Sequence, residues 1–423
     1  MDRRTTTLAL AASICTGLSL ALGSAILHRA RIDPLGLPVA NGQPPVTDTP
    51  MVPQPPPQIT PTQAYTLTVH PEWGQTGLTL AAHPEQYLQQ LAHAPDGAGI
   101  AFTVNKAYED GGADLYLAET DAAGTPNGIV RPLRAAPAGR AFVDLAASAA
   151  AGAYAVLSVD QEDPAINDLH LVSADGLTER NLTGGRFAVQ DFQWAPDGAR
   201  LALLTQGGAL YQISAADGAA SLLAEDLQSP AGNAAALLAW SPDASRLAVA
   251  GFDGPAPRLE LITLADGSRL PLAVGDLDDL PLPAFAADGG LLYFLARPRT
   301  AGGGADSRLY RIEPLAGASP VDVAAVPGSG SAKGPHAPLL LGPDGSDLIF
   351  AMGGALWRLG TDGSGFQRLT VPGADVTGRP SLAVLPSGSA LAAYVNYAPA
   401  AAGGSAGWTG PEAVLSIGTA VLP

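Results

Sequence analysis

Hydrophobic and polar positions along residues 191–218 read as three short strands and two turns. Phe192 and Trp194 alternate with polar neighbours, Pro196-Asp197-Gly198 marks a tight turn, residues 201–204 are an apolar run, and Leu210-Tyr211-Gln212-Ile213 is a further strand ended by Asp217-Gly218. A unit this thin cannot bury both its faces, so it needs copies of itself alongside. The copies are present. Equivalents of the turn residue stand at Pro95, Ala149, Pro196, Pro242, Ala287, Pro343 and Pro386, in steps of 54, 47, 46, 45, 56 and 43 residues.

Each copy continues with a second apolar strand, such as Ile100-Ala101-Phe102, Leu201-Ala202-Leu203 or Leu348-Ile349-Phe350, and a third, such as Leu115-Tyr116, Leu309-Tyr310 or Leu356-Trp357. A fourth strand follows an Asp-Gly turn, as at Arg180-Asn181-Leu182-Thr183 and Gln367-Arg368-Leu369-Thr370. The aspartates after the anchors (Asp96, Asp197, Asp243, Asp288, Asp344) read as turn caps rather than catalytic acids. The seventh copy lacks a fourth strand, whereas Tyr65-Thr-Leu-Thr-Val-His70 or Gly77-Leu-Thr-Leu80 is spare ahead of the first. Proteins avoid open strand edges, so an N-terminal strand is expected to close the ring. The expectation is an all-β, seven-bladed β-propeller over residues 63–423, with a signal or anchor helix at 1–32 and a proline-rich stalk at 33–62.

The recurring Trp-x-Pro-Asp-Gly and Leu-Ala pattern, at Trp194-Ala-Pro-Asp-Gly198 and Trp240-Ser-Pro-Asp243, resembles the propeller repeats of the periplasmic TolB family. The resemblance covers residues 65–423 and implies the fold. Propellers of this type serve many roles.

Composition adds a compartment. An uncharged run from Thr5 to Leu27 between arginines is long enough to cross a bilayer. An uncleaved anchor at 5–27 is favoured, with a cleaved signal as the alternative and the body outside the cytoplasm. Ten of the twenty-nine residues from Asp33 to Pro61 are proline, which makes that segment an extended spacer. Cys15, the only cysteine, follows Ile14 where a lipoprotein signal has a small residue, so the sequence argues against lipidation there. The formal net charge of −17 includes four arginines against one aspartate in residues 1–32, so the body is more acidic still. Such a body repels nucleic acid.

Loop length varies most between the second and third strands, on the face that also carries the blade-to-blade links. Variable loops on a rigid scaffold carry binding. The interaction candidates are Tyr108, Glu109, Asp110, Glu162, Asp163, Arg297, Arg299, Lys333, His336, Tyr397 and Trp408. The acidic loops around Glu109 and Glu162 match no calcium-loop spacing and read as solvated turns. Gly403-Gly-Ser-Ala-Gly407 has the nucleophile-elbow spacing, but no histidine follows it and its context is a loop. His93 and His170 replace packing residues of the repeat and read as interblade residues; no His or Cys spacing points to a metal or cofactor.

The sequence therefore predicts a monomeric, non-enzymatic, membrane-tethered propeller that binds protein partners as an interaction or sensing scaffold. The alternative is a small-ligand or carbohydrate site, with lyase or hydrolase chemistry, at the central channel. That site needs polar side chains converging on the innermost strands, which read as largely apolar at Leu91-Ala-His93 and Leu237-Leu-Ala-Trp240; a cluster of histidine, arginine and carboxylates at the channel mouth would favour the alternative and an alanine-lined channel the scaffold.

Overall fold

The computed structural model of the chain describes residues 65–422 apart from 71–74, 81–85, 107–113, 123, 125, 164, 226, 228–236, 254–255, 301–303, 331–334, 371–374, 385–389 and 400–412. The expected anchor at 5–27 and the stalk lie outside the described residues. Every helix-or-strand element among the described residues is a strand, and no helix there is long and apolar enough to cross a membrane.

Six sheets consist of four consecutive antiparallel strands each, here blades 1 to 6: residues 86–134, 140–181, 189–224, 237–272, 282–325 and 336–368. The expectation of seven equal four-stranded blades is corrected where the chain ends meet. The sheet there has five strands, in the order Tyr65–His70, Gln75–Leu80, Ala413–Leu422, Ala390–Pro399 and Asp375–Val384. The C-terminal segment supplies three strands, and the N-terminal one supplies a hairpin rather than a single strand. Gln75–Leu80 makes the junction, through Gly77↔Gly418, Leu78↔Ile417 and Thr79↔Ser416. We call this composite the closing sheet.

The first strand of each blade is innermost. First strands touch between blades 1 and 2, 2 and 3, 4 and 5, and 5 and 6, and the closing sheet meets those of blades 6 and 1 through Asp375–Val384. Blades 3 and 4 share an apolar cluster that includes Ala195, Leu204, Trp240 and Val249. Second strands are covered on both faces, which is why Ala101, Ala202 and Ala248 are fully buried among Phe102, Leu203 and Val249. Burying side chains of that size contributes roughly 1.5–3 kcal/mol each.

The turn aspartates do what their position predicts. Asp96, Asp197, Asp243, Asp288 and Asp344 each accept the N–H two residues on. Asp175, Asp217, Asp266 and Asp362 do the same in the later turns. The Ser241 hydroxyl, followed by the N–H and hydroxyl of Ser245, holds the Asp243 carboxyl down at about 2. Gly198 has φ of 66°, and a Cβ there would meet Ala151 N of the neighbouring turn at 2.4 Å, so both its conformation and its contact require glycine. Arginines staple successive blades. Arg200 Nη2 donates to Ala244 O at 2.9 Å and Arg246 Nη2 to Gly289 O at 3.1 Å, and their guanidinium groups lie over Trp240 and Phe285.

Candidate functional site

The loop between the second and third strands of blade 2 is a short exposed knob. Asp160 Oδ1 accepts the N–H of both Glu162 (2.9 Å) and Asp163 (3.0 Å), which holds the Asp160 carboxyl below its ordinary value. Asp163 Oδ1 then accepts Ala165 N at 3.1 Å, and Asp163 O accepts Ile166 N at 2.9 Å. Gln161 N donates to Gly139 O at 3.1 Å, tying the loop to the link from blade 1. With its backbone donors consumed internally, the loop turns Glu162 and Asp163 to solvent and leaves Ile166 49% exposed. The loop therefore presents Glu162, Asp163 and Ile166 together at the surface.

Below the knob lies a buried polar network. Arg140 Nη1 is 2.8 Å from Asp168 Oδ2, and Asp168 Oδ1 accepts Thr183 Oγ1 (3.0 Å) and Gly185 N (2.5 Å). Asn167 grips the next blade through both amide atoms, Nδ2 to Val189 O at 2.8 Å and Val189 N to Oδ1 at 2.7 Å. Deeper in, Ser158 Oγ is 2.9 Å from His170 Nε2, His170 Nδ1 is 2.7 Å from Glu179 Oε1, and Arg134 Nε donates to Glu179 Oε2 at 2.6 Å. Burial works against charge on Glu179, yet His170 and Arg134 together hold its carboxyl below the ordinary value. The serine, histidine and carboxylate have the order of a hydrolytic relay. Ser158 is fully buried and already accepts Arg140 Nη1 at 3.2 Å, so the arrangement acts as a support beneath the loop.

Blade 5 treats its candidate residues differently. Arg297 N donates to Asp279 Oδ1 at 2.8 Å and its Nη2 to Ser329 O at 3.0 Å. Arg299 Nε donates to Asp278 Oδ1 at 3.1 Å, its Nη2 to Leu277 O at 2.9 Å, and its Nη1 lies 3.4 Å from Asp276 Oδ1. A bridge pairs Leu277 with Pro298. Both arginines thus clamp the Gly275–Asp279 link to their own blade.

A third cluster crosses the centre. Arg379, on the innermost strand of the closing sheet, reaches past blades 1 and 2 to blade 3, where its Nη2 donates to Asp191 Oδ1 at 2.6 Å; Asp144 Oδ2 of blade 2 is 3.8 Å away. Gln90 Oε1 of blade 1 accepts Arg379 N at 3.2 Å, and His93 N and Nδ1 lie 3.1 and 3.0 Å from Ser381 Oγ. The pairing in each of the four inner strands slips near these residues, between Leu88 and Leu91, Phe142 and Asp144, Val189 and Asp191, and Thr377 and Ser381. Bulges of this kind re-aim side chains. Burial raises the Asp144 carboxyl, opposed by Arg379 and reinforced by Asp191; it lowers His93 to about 4. Asp191 keeps Arg379 firmly protonated.

Of the residues nominated by sequence, Glu162 and Asp163 stand exposed together, whereas Arg297 and Arg299 are engaged within the fold. Tyr108, Glu109, Asp110, Lys333 and Trp408 lie outside the described residues, as does the Gly403–Gly407 motif; the side chains of His336 and Tyr397 are likewise outside the description. His170 is buried as the repeat predicts. The sequence reading passed over Ile166, Asp144, Asp191 and Arg379. Among the described residues no group of three or more His, Cys, Asp or Glu is placed to hold a metal ion.

Solved structures share the architecture. An oligogalacturonate lyase in complex with manganese is 13% identical over 85% of this chain and 96% of that one, with a TM-score of 0.56. The β-propeller domain of the Trilobed protease from Pyrococcus furiosus is 11% identical over 74% and 89%, with a TM-score of 0.50. A putative TolB from Agrobacterium tumefaciens is 17% identical over 70% and 94%, at 0.42. At these identities the likeness to the first two is one of fold. No curated protein matches the chain by sequence. The family model described as the lipoprotein LpqB beta-propeller domain matches residues 78–298, more than half of the chain, which takes in blades 1 to 4 and the first two strands of blade 5. With its innermost strands, turn caps and loops accounted for, the chain belongs to the LpqB lipoprotein β-propeller domain family.

Proposed function

We propose that this protein is a non-enzymatic interaction propeller working outside the cytoplasm, tethered to the membrane through its N-terminal segment. In this reading the closing sheet serves as the seventh blade, and blade 2 carries the recognition surface. The observation that supports it is the knob: Glu162, Asp163 and Ile166 are exposed on a loop whose backbone is already bonded and whose base rests on the Arg140–Asp168 pair. A loop ordered before binding loses little entropy on association. Its partner is a polypeptide that offers a basic group beside an apolar pocket. The location follows from the lipoprotein description of the family and from the apolar N-terminal run.

The test is capture from envelope extract by the full chain and by the Glu162→Lys, Asp163→Lys, Ile166→Asp variant. The reading expects one polypeptide to be retained by the wild type and lost by the variant, with no more than the small drop in thermal stability that loss of the exposed Asp163–Ala165 N bond brings. Equal capture by both chains contradicts it.

A second reading has its own observation. The Arg379, Asp144, Asp191, Gln90 and His93 group on inner strands is the polar constellation that a small-ligand site in the channel requires. A thermal-shift screen of sugar acids and amines against wild type and Arg379→Met decides it. A ligand that stabilises the wild type and leaves the variant unaffected supports this reading, and no shift with any ligand removes it.

A further inference from the structure

The closing sheet is fastened unequally on its two sides. On the inner side Arg379, Ser381, Gln90 and His93 bind it to blades 1, 2 and 3. On the outer side the hairpin of Tyr65–His70 and Gln75–Leu80 is paired with itself over six rungs, from Tyr65↔Leu80 to His70↔Gln75. It meets the C-terminal strand Ala413–Leu422 over three. That same strand pairs on its other side along all ten residues, from Ala390↔Leu422 to Pro399↔Ala413. Among the described residues, then, 413–415 and 419–422 have no strand partner on the hairpin side.

The strand itself is unprotected. Ala413-Val-Leu-Ser-Ile-Gly-Thr-Ala-Val-Leu422 carries no charge and no proline. Sheet edges are normally guarded by charge, proline or a bulge, because bare N–H and C=O groups recruit another strand. Here the guard is a hairpin with twice as many rungs within itself as to the strand it covers. Only five residues, 81–85, separate the hairpin from blade 1, and short hinges favour exchange of an element between copies.

We propose that the N-terminal hairpin is an exchangeable clasp, and that the hairpin of one copy completes the closing sheet of a second copy of this chain. The exchanged and unexchanged forms make the same three rungs, so their pairing energies match and concentration decides between them. The inner fastening is untouched, so the ring stays shut while the clasp changes hands. An exchanged dimer carries two copies of the blade 2 surface on one particle.

The test uses full chains with Cys15→Ser. Thr79 and Ser416 are register partners, and antiparallel partners lie within disulfide reach. Chains with Thr79→Cys alone are mixed with chains carrying Ser416→Cys alone, incubated at high concentration, oxidised and run without reductant. The proposal expects a covalent dimer several-fold above that from Leu222→Cys mixed with Ser416→Cys, Leu222 being an exposed residue on the rim of blade 3. A single chain with both Thr79→Cys and Ser416→Cys must also form its internal disulfide. A mixed pair that gives no more dimer than the Leu222 control overturns the exchange, and failure of the double variant to close internally overturns the pairing on which it rests.

Discussion

Blades 2 and 5 both carry charged loops between their second and third strands, and the fold uses those charges in opposite ways. In blade 5 the charge of Arg297 and Arg299 is paired with Asp279, Asp278 and Asp276 of the preceding link, so that Arg299, though half exposed, is already engaged. In blade 2 the charge is satisfied one layer down, by Arg140 with Asp168 and by Arg134 with Glu179, which frees Glu162 and Asp163 to face solvent. Asp279 shows the consequence from the other side, since burial in the clamp raises its carboxyl. A loop presents charge outward when its supports are neutralised beneath it.

The comparison breaks most severely at the support. Asp168→Ala leaves the half-buried Arg140 and the buried Thr183 Oγ1 without their carboxylate, and loss of the buried member of such a pair is expected to lower unfolding free energy by about 3 kcal/mol. Urea unfolding measures it, and Asp168→Asn, which keeps an acceptor, is expected to lose less. Arg379→Met comes next at about 1–2 kcal/mol, because the arginine is a third exposed and solvent partly screens what is lost. Third is the clamp. Arg297→Ala with Arg299→Ala, which removes the side-chain bonds to Ser329 O, Leu277 O and Asp278, is expected to cost about 1–2 kcal/mol in the same assay while capture of a partner persists. Smallest is the knob variant, which gives up only the exposed Asp163–Ala165 N bond, with a midpoint shift below that of the clamp variant and complete loss of capture.

Acid and base separate the inner-strand cluster from the turn caps. Burial raises the folded-state value of Asp144, so the folded chain holds that proton longer than the unfolded chain does. The stability it contributes is therefore complete below the ordinary carboxylate value and declines as pH rises through the raised one. Asp144→Asn is expected to remove that decline. Asp243, held at about 2, runs the other way: its contribution is present above the ordinary value and is lost as pH falls towards 2.

The repeat was legible because it recurs: each anchor is followed by the strands its apolar runs predict, and each aspartate caps its turn. The composite end was half legible. The missing fourth strand pointed to the N-terminus, but nothing in Tyr65–His70 marks it as a fifth strand rather than a spare. The channel group had a signal that went unread. Five residues before the seven turn anchors stand Gln90, Asp144, Asp191, Leu237, Leu282, Pro338 and Ser381, polar at the closing sheet and blades 1 to 3 and apolar in blades 4 to 6. Aligning the copies by that column would have separated the two halves of the wall. The fate of Arg297 and Arg299 had no such signal, because their partners sit some twenty residues away in a link whose path only the fold determines.

The central claim, that blade 2 presents and blade 5 conceals, is tested most directly by parallel capture of envelope polypeptides with three full chains. These are the wild type, the Glu162→Lys, Asp163→Lys, Ile166→Asp variant, and the Arg297→Ala, Arg299→Ala variant. The account predicts that the wild type and the arginine variant retain the same polypeptide and that the knob variant does not. Retention by the knob variant together with loss by the arginine variant would contradict it.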